Sequence, residues 1–257
     1  MTFPIPSTWK RNRWLPSALL ILGILLLSYF SFSLLEEFLE HSGSKWKLVW
    51  HYRNVFWHGW LSTLSISMVA LLLSCFLGAL LLTAYRSSLK LLHFLAFLLI
   101  EILRGTPFLT QILFFFYVVA HGVGLENRLL TGILLLSLFS SVYIAELMRA
   151  SIEAIHPLQW DSAKAIGLTT YQTYRYVIIP QSLRSLLPAL AGQLASLIKD
   201  SSLLSIIGIS ELTLSAQQVN ATTYCTLESF FPLALGYLVL TLPISLGSRL
   251  LEKKLKL

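Results

Sequence analysis

Between two long apolar runs lies Asp161-Ser-Ala-Lys-Ala-Ile-Gly167, followed by Tyr176-Val-Ile-Ile-Pro180. These residues form the centre of a polar island within Tyr143–Thr213. Arg149, Lys164, Arg175 and Arg184 mark its surroundings, and the positive-inside bias places such a segment on the cytoplasmic face. From Ser151 to Ile179 the residues are helix-compatible apart from Pro157 and Gly167. Gly167 is suited to end one short helix, and Thr169-Thr170 to cap the next. Pro180 is expected to close the unit. One short helix carrying Asp161 and Lys164 would then project between two membrane anchors. A helix lying on the membrane surface and a docking element for a cytoplasmic partner both fit that pattern.

The flanks are those of an integral membrane protein. Of 257 residues 56% are hydrophobic and only 12% are charged, about half the charge of a soluble domain. The net charge of +7 comes from residues that flank apolar runs and do not share one face. Topology accounts for them, and a nucleic-acid surface does not. Cys75 lies inside an apolar run far from Cys225, which argues against a disulfide. The histidines have no metal-ligand spacing.

Outward from the island the chain reads as about six transmembrane helices, an all-α integral membrane fold. Residues 1–54 form an N-terminal segment. In it an uncharged run ending at Leu35 follows Lys10, Arg11 and Arg13. That run is longer than a signal-peptide core of about 7–15 residues, and no A-x-A-like site follows it. A retained helix over 16–35 is expected, then an amphipathic outer linker. The core, 55–257, has apolar runs Val55–Tyr85, Leu91–Ala120, Leu129–Met148, Ser185–Ile209 and Phe231–Leu251, with a polar loop over 150–181 and another over 210–230. No internal repeat is visible. With six spans and both ends inside, thirteen of the 19 basic residues face the cytoplasm. Lys45, Lys47, Arg53 and Arg128 face out, and Arg104 and Lys199 lie within apolar runs.

Charges at membrane depth cost ~2.5–3.5 kcal/mol on insertion scales and must face protein or water. Glu101 and Arg104 are spaced to pair on one face, just before a kink at Pro107. Glu146 and Arg149 are spaced likewise. Lys199 and Asp200 point about 100° apart, so each needs a partner elsewhere. A translocation path lined by Glu101, Arg104, Gln111, Glu146, Lys199, Asp200 and Ser201 is one reading. Structural ion pairs that hold kinks and seams are the other.

The island resembles the "EAA" loop of permease subunits of ATP-binding-cassette importers, which runs Glu-Ala-Ala-x-x-x-Gly and, nine residues on, Ile-x-Leu-Pro. Here Asp161-Ser162-Ala163, Gly167, Val177 and Ile179-Pro180 keep the spacing. Asp for Glu, Ser for Ala, Val for Ile and Ile for Leu are the departures. More of the chain is similar to the polar amino-acid permeases of the histidine/glutamine/arginine type. The matching stretches are Gly59-Trp-Leu-Ser-Thr-Leu64, Glu101-Ile-Leu-Arg-Gly-Thr-Pro107 with Gln111, Tyr143-Ile-Ala-Glu146, Ile198-Lys-Asp-Ser-Ser-Leu203 and Ile207-Gly-Ile-Ser-Glu-Leu-Thr213. Many members have five spans, so helix 16–35 reads as a family-variable addition or as a signal-anchor.

The resemblance implies a bacterial inner-membrane, multi-pass permease subunit of an amino-acid importer. It implies a second permease chain, two separate ATPase subunits below and an extracytoplasmic substrate-binding protein above. Asp161, Ser162, Ala163, Gly167 and Pro180 would form the ATPase-coupling interface. No G-x-x-x-x-G-K-[ST] occurs in the chain, so ATP is expected on the partner and no cofactor or metal on this chain. Two other classes compete: a secondary transporter driven by an ion gradient, which would show inverted repeats, and a non-transporting membrane scaffold.

Overall fold

A computed structural model describes residues 43–255. The helix expected over 16–35 lies outside the described residues. Helix α1 is Ser44–Trp50. It is followed by α2, Arg53–Tyr85, and α3, Lys90–Gly105. Next come α4, Phe108–Phe114, which widens into a π-helical turn over Phe115–Ala120, and α5, Arg128–Glu153. The island contributes α6, Pro157–Ala165, and α7, Thr170–Thr173. A π turn over Tyr174–Ile178 leads into α8, Ile179–Asp200, which tightens to a 3-10 turn over Ser201–Ile207. Helix α9 is Leu212–Thr223 and α10 is Thr226–Leu255. Among the described residues four helical stretches are long and apolar enough to cross a membrane, and a fifth span results if the bent α3–α4 pair is counted as one.

Helices α2 and α5 run parallel and unusually close. Small residues line both sides of the seam: Ala70, Ser74 and Gly78 against Ser137, Ser141 and Ala145, each at four-residue spacing. Without a hydrophobic driving force between helices in lipid, close backbone approach supplies the attraction. The Ser74 hydroxyl reaches the Ser137 carbonyl oxygen at 3.0 Å. A Cβ on Gly78 would sit 2.9 Å from the Ser141 carbonyl oxygen. Helix α8 runs antiparallel to α5, with the Gln193 amide donating to the Ser140 hydroxyl at 2.9 Å. Helix α10 packs on α8, where the Ser248 hydroxyl donates to the Pro188 carbonyl. One core gathers Ile66, Ala70, Ile112, Leu136, Leu197 and Leu204 around these seams.

Three sequence expectations need correcting. The run Leu91–Ala120 is bent more sharply than a proline kink alone, because α3 and α4 meet at 109°. His93 stacks near Tyr85, with ring centroids 4.9 Å apart. Eleven residues later Arg104 still meets Glu146, at almost the same height on the parallel α2–α5 pair. Helix α3 therefore lies against the α2–α5 pair, with its last turn beside Glu146. Thr106 and Pro107 are both extended, as the clash between a proline ring and the preceding residue requires.

Pro180 does not close the island. The helix passes through it, because the π turn over Tyr174–Ile178 ends where the missing N–H and the ring clash of Pro180 are tolerated, in the first turn of α8. Finally, most of the supposed loop 210–230 is the helix α9. Glu211 caps it, its carboxylate accepting from the Thr213 and Leu214 amides at 2.9 and 2.8 Å.

Candidate coupling and translocation site

The island forms a compact bracket. His156 caps α6, its ring nitrogen accepting from the Leu158 amide at 3.2 Å, and Pro157 starts the helix, where a missing N–H costs nothing. Gly167 ends it with φ +81. The Gly167 amide bonds the Lys164 carbonyl, and the Leu168 amide bonds that of Ala163, the left-handed closure glycine favours. Thr169 and Gln172 then cap each other reciprocally at the start of α7. Asp161, Ser162, Gly167 and Pro180 are exposed, and Ala163 is buried against the bracket. Nothing lies within 4 Å of a Cβ placed on Gly167. Leu158 and Ile166 are 62% and 76% exposed, so α6 offers an apolar surface that the described chain leaves uncovered.

The bracket is tied to the bundle. Trp160 stacks edge-on against Tyr174 at 5.3 Å, and the Gln181 amide donates to Gln159 at 3.2 Å. From there a ladder of charges climbs the end of the bundle. The Arg86 guanidinium donates to the Tyr174 hydroxyl and pairs with Glu153 at 3.5 Å. Glu153 meets Arg149 at 3.2 Å, Arg149 meets Glu146 at 3.6 Å, and Glu146 meets Arg104 at 3.4 Å. The ladder links α2, α3, α5 and the π turn below α8. Its members are one third to one half exposed, so each rung alone contributes only tenths of a kcal/mol to about 1 kcal/mol. As a set they fix the orientation of four elements.

Arg104 therefore pairs with Glu146 across the bundle and not with Glu101. Glu101 is exposed on α3 and makes no ion pair among the described residues. Gln111 is 7% exposed and its amide is fully engaged at the elbow. Its nitrogen donates one hydrogen to the Leu103 carbonyl at 2.7 Å and shares the other between the Thr106 carbonyl and hydroxyl at 3.1 and 2.9 Å. These are acceptors the broken helix would otherwise leave dry. Replacing Gln111 with leucine, similar in size, should cost about 1–3 kcal/mol for each buried acceptor left unpaired. A fall in thermal midpoint in detergent checks this, and Gln111→Glu should fall at least as far, because a carboxylate cannot donate to these carbonyls.

Lys199, Asp200 and Ser201 form a separate group where α8 tightens. Lys199 is exposed, Asp200 half-buried, and the fully buried Ser201 hydroxyl donates to Ile198. Neither charge forms an ion pair among the described residues. By the register of Gln193 with Ser140, this group lies about 20 Å along the bundle from Glu146, at 1.5 Å per residue. Six of the seven candidates thus divide into an elbow lock, a charge ladder and a polar step on α8, and Glu101 stands apart from all three.

Sequence reasoning missed Glu211 as a buried group. It is 0% exposed, and the Tyr237 hydroxyl donates to it at 2.7 Å while contacting the Thr213 hydroxyl at 2.8 Å. The Leu212 amide bonds the Thr63 hydroxyl at 3.1 Å. Burial pushes the Glu211 carboxyl up, and the amides and the tyrosine hydroxyl oppose that. The turn before α9 is so clamped between α2 and α10, at the bundle end remote from α6. Gly59 admits it: a Cβ there would lie 2.3 Å from the Ser215 hydroxyl. The only local signal was a carboxylate two residues before a threonine, which is also an ordinary cap.

The family model of the binding-protein-dependent transport system inner membrane component matches residues 75–257. The glutamine transport system permease protein GlnP of Escherichia coli K12 is 32% identical over 215 residues, covering 82% of this chain and 98% of that protein. The probable amino-acid ABC transporter permease protein YckA of Bacillus subtilis 168 is 36% identical over 193 residues, covering 75% and 85%. Among solved structures, an amino acid ABC transporter superposes with a TM-score of 0.76 at 32% identity, over 83% of this chain and 99% of that one. An inward-facing MetNI methionine ABC transporter superposes with a TM-score of 0.67 at 20% identity, over 79% and 97%, a likeness of fold. With a matching model over most of its length and these relatives, the chain belongs to the family of binding-protein-dependent transport system inner membrane components.

Proposed function

We infer that this chain forms the translocation path of an ATP-driven amino-acid importer and receives force from a separate ATPase through α6. The observation that carries this reading is the bracket itself. A capped, apolar-faced helix projects from the bundle, and the Trp160–Tyr174 contact joins it to a charge ladder that spans three other elements. Such a helix, docked on a moving partner, can bias a bundle between two arrangements. Asp161, Ser162 and Gly167 would face the ATPase, Ala163 would hold α6 to its bracket, and Pro180 would start the span that carries the motion upward. Lys199, Asp200 and Ser201 are the polar step best placed for the two charged ends of an amino acid. Arg104 and Glu146 belong to the transmission ladder. A second permease chain would complete the path, with α6 and both termini in the cytoplasm.

Reconstitution tests the reading. Uptake should require the permease, ATP, the ATPase subunit and the extracytoplasmic binding protein together. Uptake by the permease alone under an ion gradient would assign a secondary transporter. No uptake with any partner would leave a scaffold.

A further inference from the structure

The bundle end remote from α6 carries a groove that the transport reading does not use. It holds about 470 Å³ between the first half of α2, the start of α5 and the turn after the 3-10 helix. Its polar lining is His58, Ser62, Ser65, Arg128 and Ser210. Arg128 makes no ion pair among the described residues, although Glu126 is two positions away. A Cβ on Gly208 would lie 2.8 Å from the Arg128 guanidinium, so the glycine, at φ +79, leaves the room in which that cation rests. The Ser65 hydroxyl donates to Leu61. Ser62, Ser210 and the His58 ring have no partner among the described residues and remain available as donors. The groove thus combines a cation with several uncommitted polar side chains, which is the complement of a phosphate.

What continues from the groove defines the ligand further. His58, Ser62 and Ser65 share one face of α2, and at the same alternating spacing follow Val69, Leu72 and Phe76. These three are 49%, 68% and 61% exposed. A 33-residue helix is about 50 Å long, whereas the hydrocarbon core is about 30 Å. With the excess shared between its ends, His58 falls at headgroup level, Ser62 just inside the hydrocarbon boundary and Val69–Phe76 at acyl depth. A soluble anion would use only the polar part. A phospholipid would use both.

We propose that this groove binds an anionic phospholipid, its phosphate held by Arg128, His58 and the serine hydroxyls, and its acyl chains laid along Val69, Leu72 and Phe76. Basic pockets between transmembrane helices recognise phosphate headgroups in this way. Under the orientation inferred above, the lipid belongs to the extracytoplasmic leaflet.

Native mass spectrometry of the assembled transporter, incubated with phosphatidylglycerol or phosphatidylcholine, tests the proposal. The wild type should retain phosphatidylglycerol preferentially. Arg128→Gln should lower its retention about tenfold, the scale of one lost charge-assisted hydrogen bond. Arg128→Lys should restore it to within a few-fold, and Lys47→Gln, an exposed cation on α1 outside the groove, should leave it unchanged. Glycerol phosphate in excess should not displace the lipid. Retention that ignores Arg128→Gln overturns the proposal. So does a lysine variant as deficient as the glutamine one, or displacement by glycerol phosphate, which would assign a soluble anion. Weakened docking of the extracytoplasmic protein with lipid retention intact would assign the groove to that protein, and would equally overturn it.

Discussion

Gly78→Leu is expected to abolish folded protein. At Gly78 the α2–α5 seam is at its closest: even a single added Cβ would lie 2.9 Å from the Ser141 carbonyl oxygen and 3.2 Å from the Ala145 amide nitrogen. Both are backbone atoms in the middle of a helix, so no side chain can swing away. Overpacking a well-packed site typically costs about 1–3 kcal/mol, and leucine here exceeds that range because the two helices must part. Parting them also breaks the Ser74–Ser137 bond below and opens the core around Leu136, which is fully buried. The measurement is the yield of monodisperse protein in detergent and its thermal midpoint. Gly78→Ala should already lower the midpoint by several degrees. Gly192→Ala and Gly247→Ala provide the contrast: both sites lie in helices with open space where the Cβ would go. Alanine there should be neutral or stabilising by up to about 1 kcal/mol. Similar losses at all three positions would show that helix propensity, and not the seam, sets the cost.

The double substitution Leu158→Glu/Ile166→Glu is expected to abolish ATP-dependent uptake while leaving the permease folded. Both side chains are more than half exposed, so within this chain the change should cost no more than about 0.5 kcal/mol. Against a docked ATPase, the same change places two carboxylates where apolar contact is needed. Charges desolvated without partners weaken an interface by several kcal/mol, enough to lower uptake more than a hundredfold at fixed ATPase concentration. Membrane insertion and thermal midpoint should match the wild type, and co-purification of the ATPase should fail. Normal uptake by this variant would remove α6 from the coupling path. Gly167 supplies a finer test. A β-branched residue at φ +81 costs about 1–2 kcal/mol in backbone conformation, whereas asparagine tolerates that region. Gly167→Val should therefore impair the bracket, and Gly167→Asn should spare it.

Much of this architecture is written locally. The spans follow from the length of apolar runs, because satisfying the backbone in hydrocarbon leaves the helix as the only option for a continuous apolar stretch. The caps of the bracket were equally legible. Thr169, Gly167 and Pro157 act on residues three or four positions away, so their roles depend on nothing distant. The spacing from Asp161 to Pro180 marked the bracket as one unit for the same reason. The kink expected at Pro107 was also local, since proline removes a backbone donor and its ring disfavours the helical region for Thr106, which is extended.

The partners of the charges were not local, and only the tertiary structure decided them. Glu101 and Arg104 satisfy a helical spacing rule, yet Arg104 turns to Glu146 because the 109° elbow carries α3 across the end of α5. Gln111 looked like a polar residue in a path. It proved to be the group that takes up carbonyls released by that same elbow. Glu211 looked like a loop residue until α2 and α10 closed around it. For Arg104 and Glu211 the deciding atom belongs to an element tens of residues away, and for Gln111 it lies across the elbow. Hydrophobic length, proline and capping act within a turn or two of helix and can be read from sequence. The direction of a bend, the closeness of a glycine seam and the choice among several ion partners depend on which helices meet, and at what height.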